Sequence, residues 1–214
     1  MIDSVEVEIP PHGLAGLLGF AERQQGLVIF AHGSGSGRLS PRNQHVAAAL
    51  REAGFATLLM DLLLPGEEHD RAKVFDIDLL AGRLGEATDW AHLHADTALL
   101  PVGYFGASTG AGAALVAAGE RKNRIAAVVS RGGRPDLAGE ALEAVTAPTL
   151  LIVGSLDTQV ITLNQQAMKR MHGEKVLSIV PGATHLFEEA GTLDQVVGLA
   201  TSWFRQHLLA AAVS

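Results

Sequence analysis

Short apolar runs of strand length alternate with helical stretches along most of the chain. The strand predictions fall at 26–31, 56–61, 102–107, 125–129, 149–153 and 175–180. The helix predictions fall at 43–53, 76–94, 136–145, 159–171 and 192–208, with a further helix in the Ala-rich run after residue 108. Strands separated by helices need right-handed crossovers, so we predict a mostly parallel sheet covered by helices on both faces. In such sheets, ligands bind outside the carboxyl ends of the strands.

Two segments depart from this alternation. Residues 5–9 alternate between apolar and charged, 10–13 read Pro-Pro-His-Gly, and 14–20 are again mostly apolar, which predicts an antiparallel hairpin at one edge of the sheet. The segment 62–73 is mixed and charged, and we predict a loop there. The sequence leaves open whether 65–73 folds over the site as a small lid.

Length and composition restrict the class of protein. With 214 residues and 48% hydrophobic content, the chain can bury a full core, and we predict one domain over 1–214. No apolar run approaches the roughly 18 residues of a membrane span, and the acidic start argues against a signal peptide, so we expect a cytoplasmic protein. The formal charge of −7 comes without Lys/Arg clusters, which disfavours nucleic acid and membrane partners and favours a small molecule. The absence of Cys excludes a thiolate nucleophile and Cys-ligated zinc. Monomer and homodimer both stay open.

The predicted strand at 102–107 runs into the predicted helix through Gly106-Ala107-Ser108-Thr109-Gly110. A sharp strand-to-helix turn pushes its central side chain out of the sheet and leaves room only for small residues two positions away on each side. This pattern predicts a nucleophilic Ser108 beside the positive end of a helix. The alternative is a turn of small residues that lets the helix pack tightly on the sheet.

A nucleophilic serine needs a base and an acid that orients the base, in the chain order Ser, Asp, His. Asp157 follows the strand at 149–153, and His185 follows the strand at 175–180. Taken singly, Asp157 could be the N-cap of the next helix and His185 an ordinary loop histidine. Three such residues at three strand ends in the required order favour a catalytic triad.

Oxyanion stabilisation needs two donors, and we predict the backbone N–H of Thr109 and that of Ser34, with Gly35 as the alternative. Ser34 lies in the Gly-rich loop 33–37, which could also be a flexible turn. A dinucleotide fingerprint fails there because Arg38 stands in place of the third Gly, and the Lys of a P-loop is missing.

Other candidates rest on weaker patterns. His92 and His94 lie two apart on a predicted helix and point to different sides, which argues against a metal site. Arg131 or Arg38 could bind an anionic substrate group, but the sequence favours a structural ion pair or loop anchor for either.

These motifs resemble the α/β-hydrolase superfamily and, within it, the small dienelactone-hydrolase-like group. The resemblance covers nearly the whole chain, through the segments 32–35, 106–110, 154–157 and 182–185. It implies a three-layer α/β-hydrolase fold. Dienelactone hydrolases use a Cys nucleophile, whereas this chain has Ser108 and no Cys, so general ester hydrolysis is the safer inference. Superfamily members with a lid usually insert it before the strand at 149–153, where this chain has room for one short helix, so we predict no lid domain and a shallow, open pocket.

We therefore predict a carboxylesterase-type serine hydrolase that acts on small esters through an acyl-enzyme and needs no cofactor or metal. Substrate contacts are predicted at Gly35, Leu63, Arg131, Leu156, Val160, Leu186 and Phe187. The alternatives are dienelactone hydrolysis, another acyl hydrolase or transferase reaction, and a non-catalytic ligand-binding protein with the same fold.

Overall fold

A computed structural model describes residues 4–211, which form an eight-stranded sheet with helices on both faces. The strands are β1 (Ser4–Ile9), β2 (Leu14–Gly19), β3 (Leu27–Ala31), β4 (Ala56–Met60), β5 (Val102–Ala107), β6 (Ile125–Arg131), β7 (Thr149–Gly154) and β8 (Lys175–Val180). Their spatial order is β1-β2-β4-β3-β5-β6-β7-β8. The pairs β1/β2 and β2/β4 are antiparallel, and every other pair is parallel. The predicted hairpin and parallel sheet are both confirmed.

The helices are α1 (Pro41–Glu52), α2 (Arg71–Val74), α3 (Ile77–Leu93), α4 (Thr109–Glu120), α5 (Thr158–Met168) and α6 (Thr192–Ala211). One apolar layer lies between the sheet and α3 and α4, and a second lies between the sheet and α1 and α6. Within the described residues, no helix is both long and apolar enough to span a membrane.

The central strands are almost entirely apolar, as expected for strands whose two faces are both covered, with Thr57 and Thr149 as buried polar exceptions. Every residue of β3, β4, β5 and β7 is buried. The helix α4 contains mainly Ala and Gly, and 11 of its 12 residues are buried. Because its side chains are small, α4 packs closely against the sheet. The first turn of α4 therefore lies directly after Ser108 at the end of β5.

The ends of the outer helices follow local sequence signals. Ser40 caps α1, with Pro41 in its first turn, and Gly54 adopts a φ of 97° just after the C-cap. The side chain of Asp76 accepts a hydrogen bond from Leu79 N–H at the start of α3.

Two segments differ from the sequence-based expectation. The region predicted as a helix at 136–145 is a 3₁₀ helix at Pro135–Ala144, interrupted at Gly139, whose φ of 52° is incompatible with a continuous helix. The predicted loop at 62–73 contains a 3₁₀ turn at Glu67–His69 and the short helix α2. Glu67 fixes this segment by accepting hydrogen bonds from Leu64 N–H and Arg83.

Candidate active site

Ser108 lies at the sharp turn between β5 and α4, with φ 50° and ψ −121°. Such a conformation is costly for a residue with a side chain and is often associated with function. A Cβ at Gly106 would lie 2.5 Å from Ala111 Cα, and a Cβ at Gly110 would lie 2.1 Å from Ala31 O. Both glycines are therefore required by contacts with backbone atoms, and the turn presents Ser108 at the carboxyl edge of the sheet.

Asp157 and His185 follow β7 and β8, and their side chains are hydrogen-bonded. His185 Nδ1 lies 2.6 Å from Asp157 Oδ2. Asp157 does occupy the N-cap position of α5, but its side chain makes no capping hydrogen bond to that helix. Its carboxylate is therefore directed at the imidazole, where it favours a proton on Nδ1 and leaves Nε2 as the base.

The turn that contains His185 is held on two sides. Glu189 accepts hydrogen bonds from both the N–H and the hydroxyl of Thr184, at 3.1 Å and 2.6 Å. Phe187 has a φ of 57°, and its ring is buried in the layer between the sheet, α1 and α6. These contacts fix the imidazole over the end of the sheet.

The loop after β6 connects the serine to the histidine. Ser108 N–H donates to Arg131 O at 3.3 Å, and a Cβ at Gly132 would lie 3.0 Å from His185 O. That contact with a backbone atom is tight, and the φ of 51° at Gly132 also favours glycine. In the described part of the chain, Ser108 Oγ makes no hydrogen bond to His185.

The two predicted oxyanion residues are in direct contact. Ser34 N–H donates to Thr109 Oγ1 at 3.0 Å. A Cβ at Gly33 would lie 3.0 Å from Ser108 Cβ, so the loop after β3 runs alongside the serine. Gly35 has a φ of 69°, and a Cβ there would meet no atom within 4 Å. Gly35 lines the adjacent cleft.

His32 fixes the start of this loop, a role that the sequence did not reveal. Its Nε2 must accept, because Leu62 N–H donates to it at 2.9 Å, so the proton lies on Nδ1, 3.0 Å from Gly33 O. Burial lowers the pKa of His32 and keeps the imidazole neutral. The ring thereby connects the end of β4 to the loop that contains Ser34.

A cleft of about 520 Å³ opens beside Ser34 and Thr109. Its walls come from the β1–β2 hairpin, the loop after β3, the segment after β4 and α3. The wall residues include Gly13, Ala15, Leu63, Leu64, Pro65, Glu68, Val74 and Leu80. The segment that the sequence left open as a lid is therefore a wall of the cleft, fixed by Glu67.

Only part of the predicted substrate-contact set lies in this cleft. Gly35 and Leu63 line it. The remaining predicted contacts, Arg131, Leu156, Val160, Leu186 and Phe187, do not. Val160 and Phe187 are core residues, while Leu156 and Leu186 lie exposed on the turns that contain Asp157 and His185. Proximity to a strand end did not show on which side of Ser108 this cleft opens.

The two arginines of the sequence analysis have different surroundings. Arg38 forms an ion pair with Asp61 at the edge of the cleft, and its backbone N–H also donates to Asp61, at 2.7 Å. Arg131 is buried, and its Nη2 donates to Asn43 Oδ1 at 3.3 Å. Burial, together with nearby Arg42, lowers the pKa of Arg131 to about 10.

The sheet order, the strained serine turn and the paired carboxylate and imidazole together define an α/β-hydrolase. A dienelactone hydrolase from Anabaena variabilis is 53% identical to this chain, with a TM-score of 0.93 over 97% of the chain and 98% of that structure. The chain therefore belongs to the dienelactone hydrolase family. Est1E from Butyrivibrio proteoclasticus shares the fold at 17% identity, with a TM-score of 0.79 over 94% of the chain and 98% of that structure.

Two curated proteins from different strains of Mycobacterium tuberculosis are 60% identical to the chain over 206 residues. Both carry the provisional name phosphoribosyl transferase. The match covers 96% of this chain but 46% of each relative, so the chain spans about half the length of the curated relatives it matches. No protein-family model matches the chain.

Proposed function

We propose that this protein is a serine hydrolase that cleaves small carboxylic esters with Ser108, His185 and Asp157. The observation that supports this most directly is the 2.6 Å hydrogen bond between Asp157 Oδ2 and His185 Nδ1, made by a carboxylate that is free of helix capping. The strained conformation of Ser108 at the same edge of the sheet supplies the third member.

In this mechanism, His185 Nε2 takes the proton of Ser108 as Oγ attacks the ester carbonyl carbon. Asp157 stabilises the imidazolium that forms. The tetrahedral intermediate then collapses, and His185 gives the proton to the departing alcohol, which leaves an acyl-enzyme. Water attacks the acyl-enzyme by the same route and releases the acid.

The cleft favours a small substrate without a strong negative charge. Its volume of about 520 Å³ falls within the usual range for small-molecule sites. Arg38 is already neutralised by Asp61, and Glu68 adds a further carboxylate to the lining. Short acyl chains fit best, because a long chain would leave apolar area in water at about 25 cal/mol per Å².

The same charges argue against phosphoribosyl transfer by the part of the mycobacterial relatives that matches this chain. Any such reaction must bind a phosphate group, for which free cations and backbone N–H groups are needed. Within residues 4–211, Arg38 is the cation that lines the cleft, and it is paired with Asp61, while Glu68 adds a negative charge to the lining. The relatives' name thus provides no second candidate function for this chain.

The test is hydrolysis of p-nitrophenyl acetate, butyrate and octanoate by wild type, Ser108→Ala and the control Ser202→Ala. Ser202 is exposed on α6 and bonds only to Gly198 O, so its variant should match wild type. We expect acetate and butyrate to be preferred and Ser108→Ala to lose several orders of magnitude, with Ser108 modified by a fluorophosphonate in wild type. Equal rates for Ser108→Ala and wild type would refute the proposal.

A panel of matched ester, thioester, amide and lactone substrates separates simple esterase activity from the other acyl-transfer reactions. Faster turnover of another class than of the esters would replace the ester assignment while leaving the triad in place. Ligand binding without turnover, unaffected by Ser108→Ala, would indicate a binding protein instead.

A further inference from the structure

The Thr109 side chain is hydrogen-bonded to the amide that the sequence predicts as an oxyanion donor. Ser34 N–H donates to Thr109 Oγ1 at 3.0 Å, and both residues line the cleft. Thr109 directly follows Ser108, and the residue before Ser34 approaches the nucleophile, since a Cβ at Gly33 would lie 3.0 Å from Ser108 Cβ. In the free enzyme, the Ser34 amide is therefore already satisfied and is not available to a substrate oxygen.

The Thr109 hydroxyl, in contrast, keeps an unused donor. A hydroxyl has one hydrogen and two acceptor lone pairs, and the bond from Ser34 uses only a lone pair. Among residues 4–211, no acceptor lies within hydrogen-bonding distance of the Thr109 O–H. The backbone N–H of Thr109 opens α4, where the first N–H groups have no intrahelical acceptor. Thr109 thus presents two donors next to Ser108.

We infer that the Thr109 hydroxyl is the second oxyanion donor, and that Ser34 N–H acts through it rather than on the substrate directly. This inference rests on the ester hydrolysis proposed above. When Ser108 Oγ bonds to the carbonyl carbon, the π electron pair moves to the carbonyl oxygen, and both donors of Thr109 bind that oxygen. The oxyanion takes no proton, so it reforms the carbonyl as the alcohol departs.

The Ser34 amide increases the strength of this donor. An N–H group that donates to a hydroxyl oxygen polarises the O–H bond, and chains of hydrogen bonds strengthen one another in a site of low dielectric. His32 positions this series of hydrogen bonds. Its Nδ1 lies 3.0 Å from the carbonyl oxygen of Gly33, the residue immediately before Ser34. The donor that reaches the substrate is thus fixed from both β3 and α4.

The alternative is that the hydroxyl only occupies the Ser34 amide until substrate displaces it. The two arrangements predict opposite effects of Thr109→Val, which replaces the hydroxyl by a methyl group of similar size. If the amide is the donor, the substitution frees it, and kcat stays equal or rises. If the hydroxyl is the donor, kcat falls by about 10²- to 10³-fold, the usual loss for one oxyanion donor.

The experiment compares Thr109→Val, Thr109→Ser and the matched control Thr162→Val with wild type. Thr162 is exposed on α5, and its hydroxyl donates to Thr158 O, far from the cleft. For each protein, kcat, KM and Tm are measured with p-nitrophenyl butyrate, together with the affinity for butylboronic acid, which forms a tetrahedral adduct with a nucleophilic serine. Donor loss is expected to lower kcat and boronate affinity in Thr109→Val with KM and Tm unchanged. Thr109→Ser should restore most of kcat.

Three outcomes would overturn the inference. An unchanged or higher kcat in Thr109→Val assigns the donor to Ser34. A lower kcat with higher KM and lower Tm assigns the hydroxyl to loop structure, because Ser34 and Gly35 line the cleft and their displacement weakens substrate binding. If the wild type neither hydrolyses esters nor reacts with a fluorophosphonate, the proposed function itself is wrong. In the other two outcomes the wild type remains an active esterase, so the failures can be told apart.

Discussion

Replacing Gly110 by alanine tests whether the close contact between α4 and β3 holds the catalytic groups in place. The new Cβ would lie 2.1 Å from Ala31 O and 2.5 Å from His32 O. An ordinary contact is at least 3.4 Å, so the two backbones must separate by about 1.3 Å. Both neighbouring atoms belong to the backbone of β3 and the residue after it, and no side-chain rotation can relieve the clash.

The expected cost follows from this displacement. Overpacking of a core costs about 1–3 kcal/mol, and the better helix propensity of alanine offsets less than about 1 kcal/mol of it. For a chain of this length, roughly 3 °C in Tm corresponds to 1 kcal/mol, so a fall of several degrees is expected. Moving Ser108 against the loop after β3 by about 1 Å should also lower kcat by on the order of 10²-fold.

The assay is thermal unfolding with p-nitrophenyl butyrate kinetics, and Gly82→Ala is the matched control. Gly82 is exposed in α3, and a Cβ there meets nothing within 4 Å. The control should gain up to about 1 kcal/mol in stability and keep wild-type kcat. A Gly110→Ala variant with wild-type Tm and kcat would refute the argument that the second glycine of the turn is required sterically.

Three further predictions concern titratable groups. Asp157→Asn should lower kcat by about 10⁴-fold, because asparagine does not hold the imidazole tautomer; a rate within tenfold of wild type would contradict the triad. Burial lowers the pKa of His32, so the unfolded chain takes up its proton first, and the free energy of unfolding should fall by up to about 1.4 kcal/mol per pH unit below about pH 6.5. An equal pH slope in His32→Asn, measured by denaturant unfolding, would argue against this linkage. Hydrogen bonding to Arg83 holds the pKa of Glu67 well below its usual range, so this pair stabilises the fold at neutral pH and its contribution disappears as pH falls below about 4.3. The Glu67→Gln variant should therefore unfold at a lower denaturant concentration at pH 7, and its free energy of unfolding should fall less as the pH is lowered. An unchanged denaturant midpoint at pH 7 would count against a stabilising role of the Glu67–Arg83 pair.

The sequence predicted those features that depend on local patterns. Apolar runs located the strands, and the two glycines around Ser108 identified the turn, because each pattern reflects a steric or solvation requirement of the residues themselves. Asp157 and His185 could be placed together because the ends of parallel strands meet at one edge of a sheet. In the structure, the two side chains are joined by a hydrogen bond.

Features that depend on packing between distant segments were not predictable. The sequence placed Ser34 and Thr109 at one oxyanion, but it did not predict that Ser34 N–H donates to the Thr109 side chain, 75 positions away. Phe187 was expected in the pocket because it lies near His185, yet its positive φ turns the ring into the core. The break at Gly139 likewise needs a backbone angle that composition does not reveal.

The cleft walls and the proposed catalytic side chains come from different stretches of the chain. The hairpin and the segment after β4 shape the cleft, whereas Ser108, Asp157 and His185 follow β5, β7 and β8. For protein engineering, the proposed mechanism predicts that libraries confined to residues 13–15 and 63–74 alter substrate range while these three residues stay unchanged. The same separation would let related enzymes diverge in substrate through changes in the first half of the chain alone.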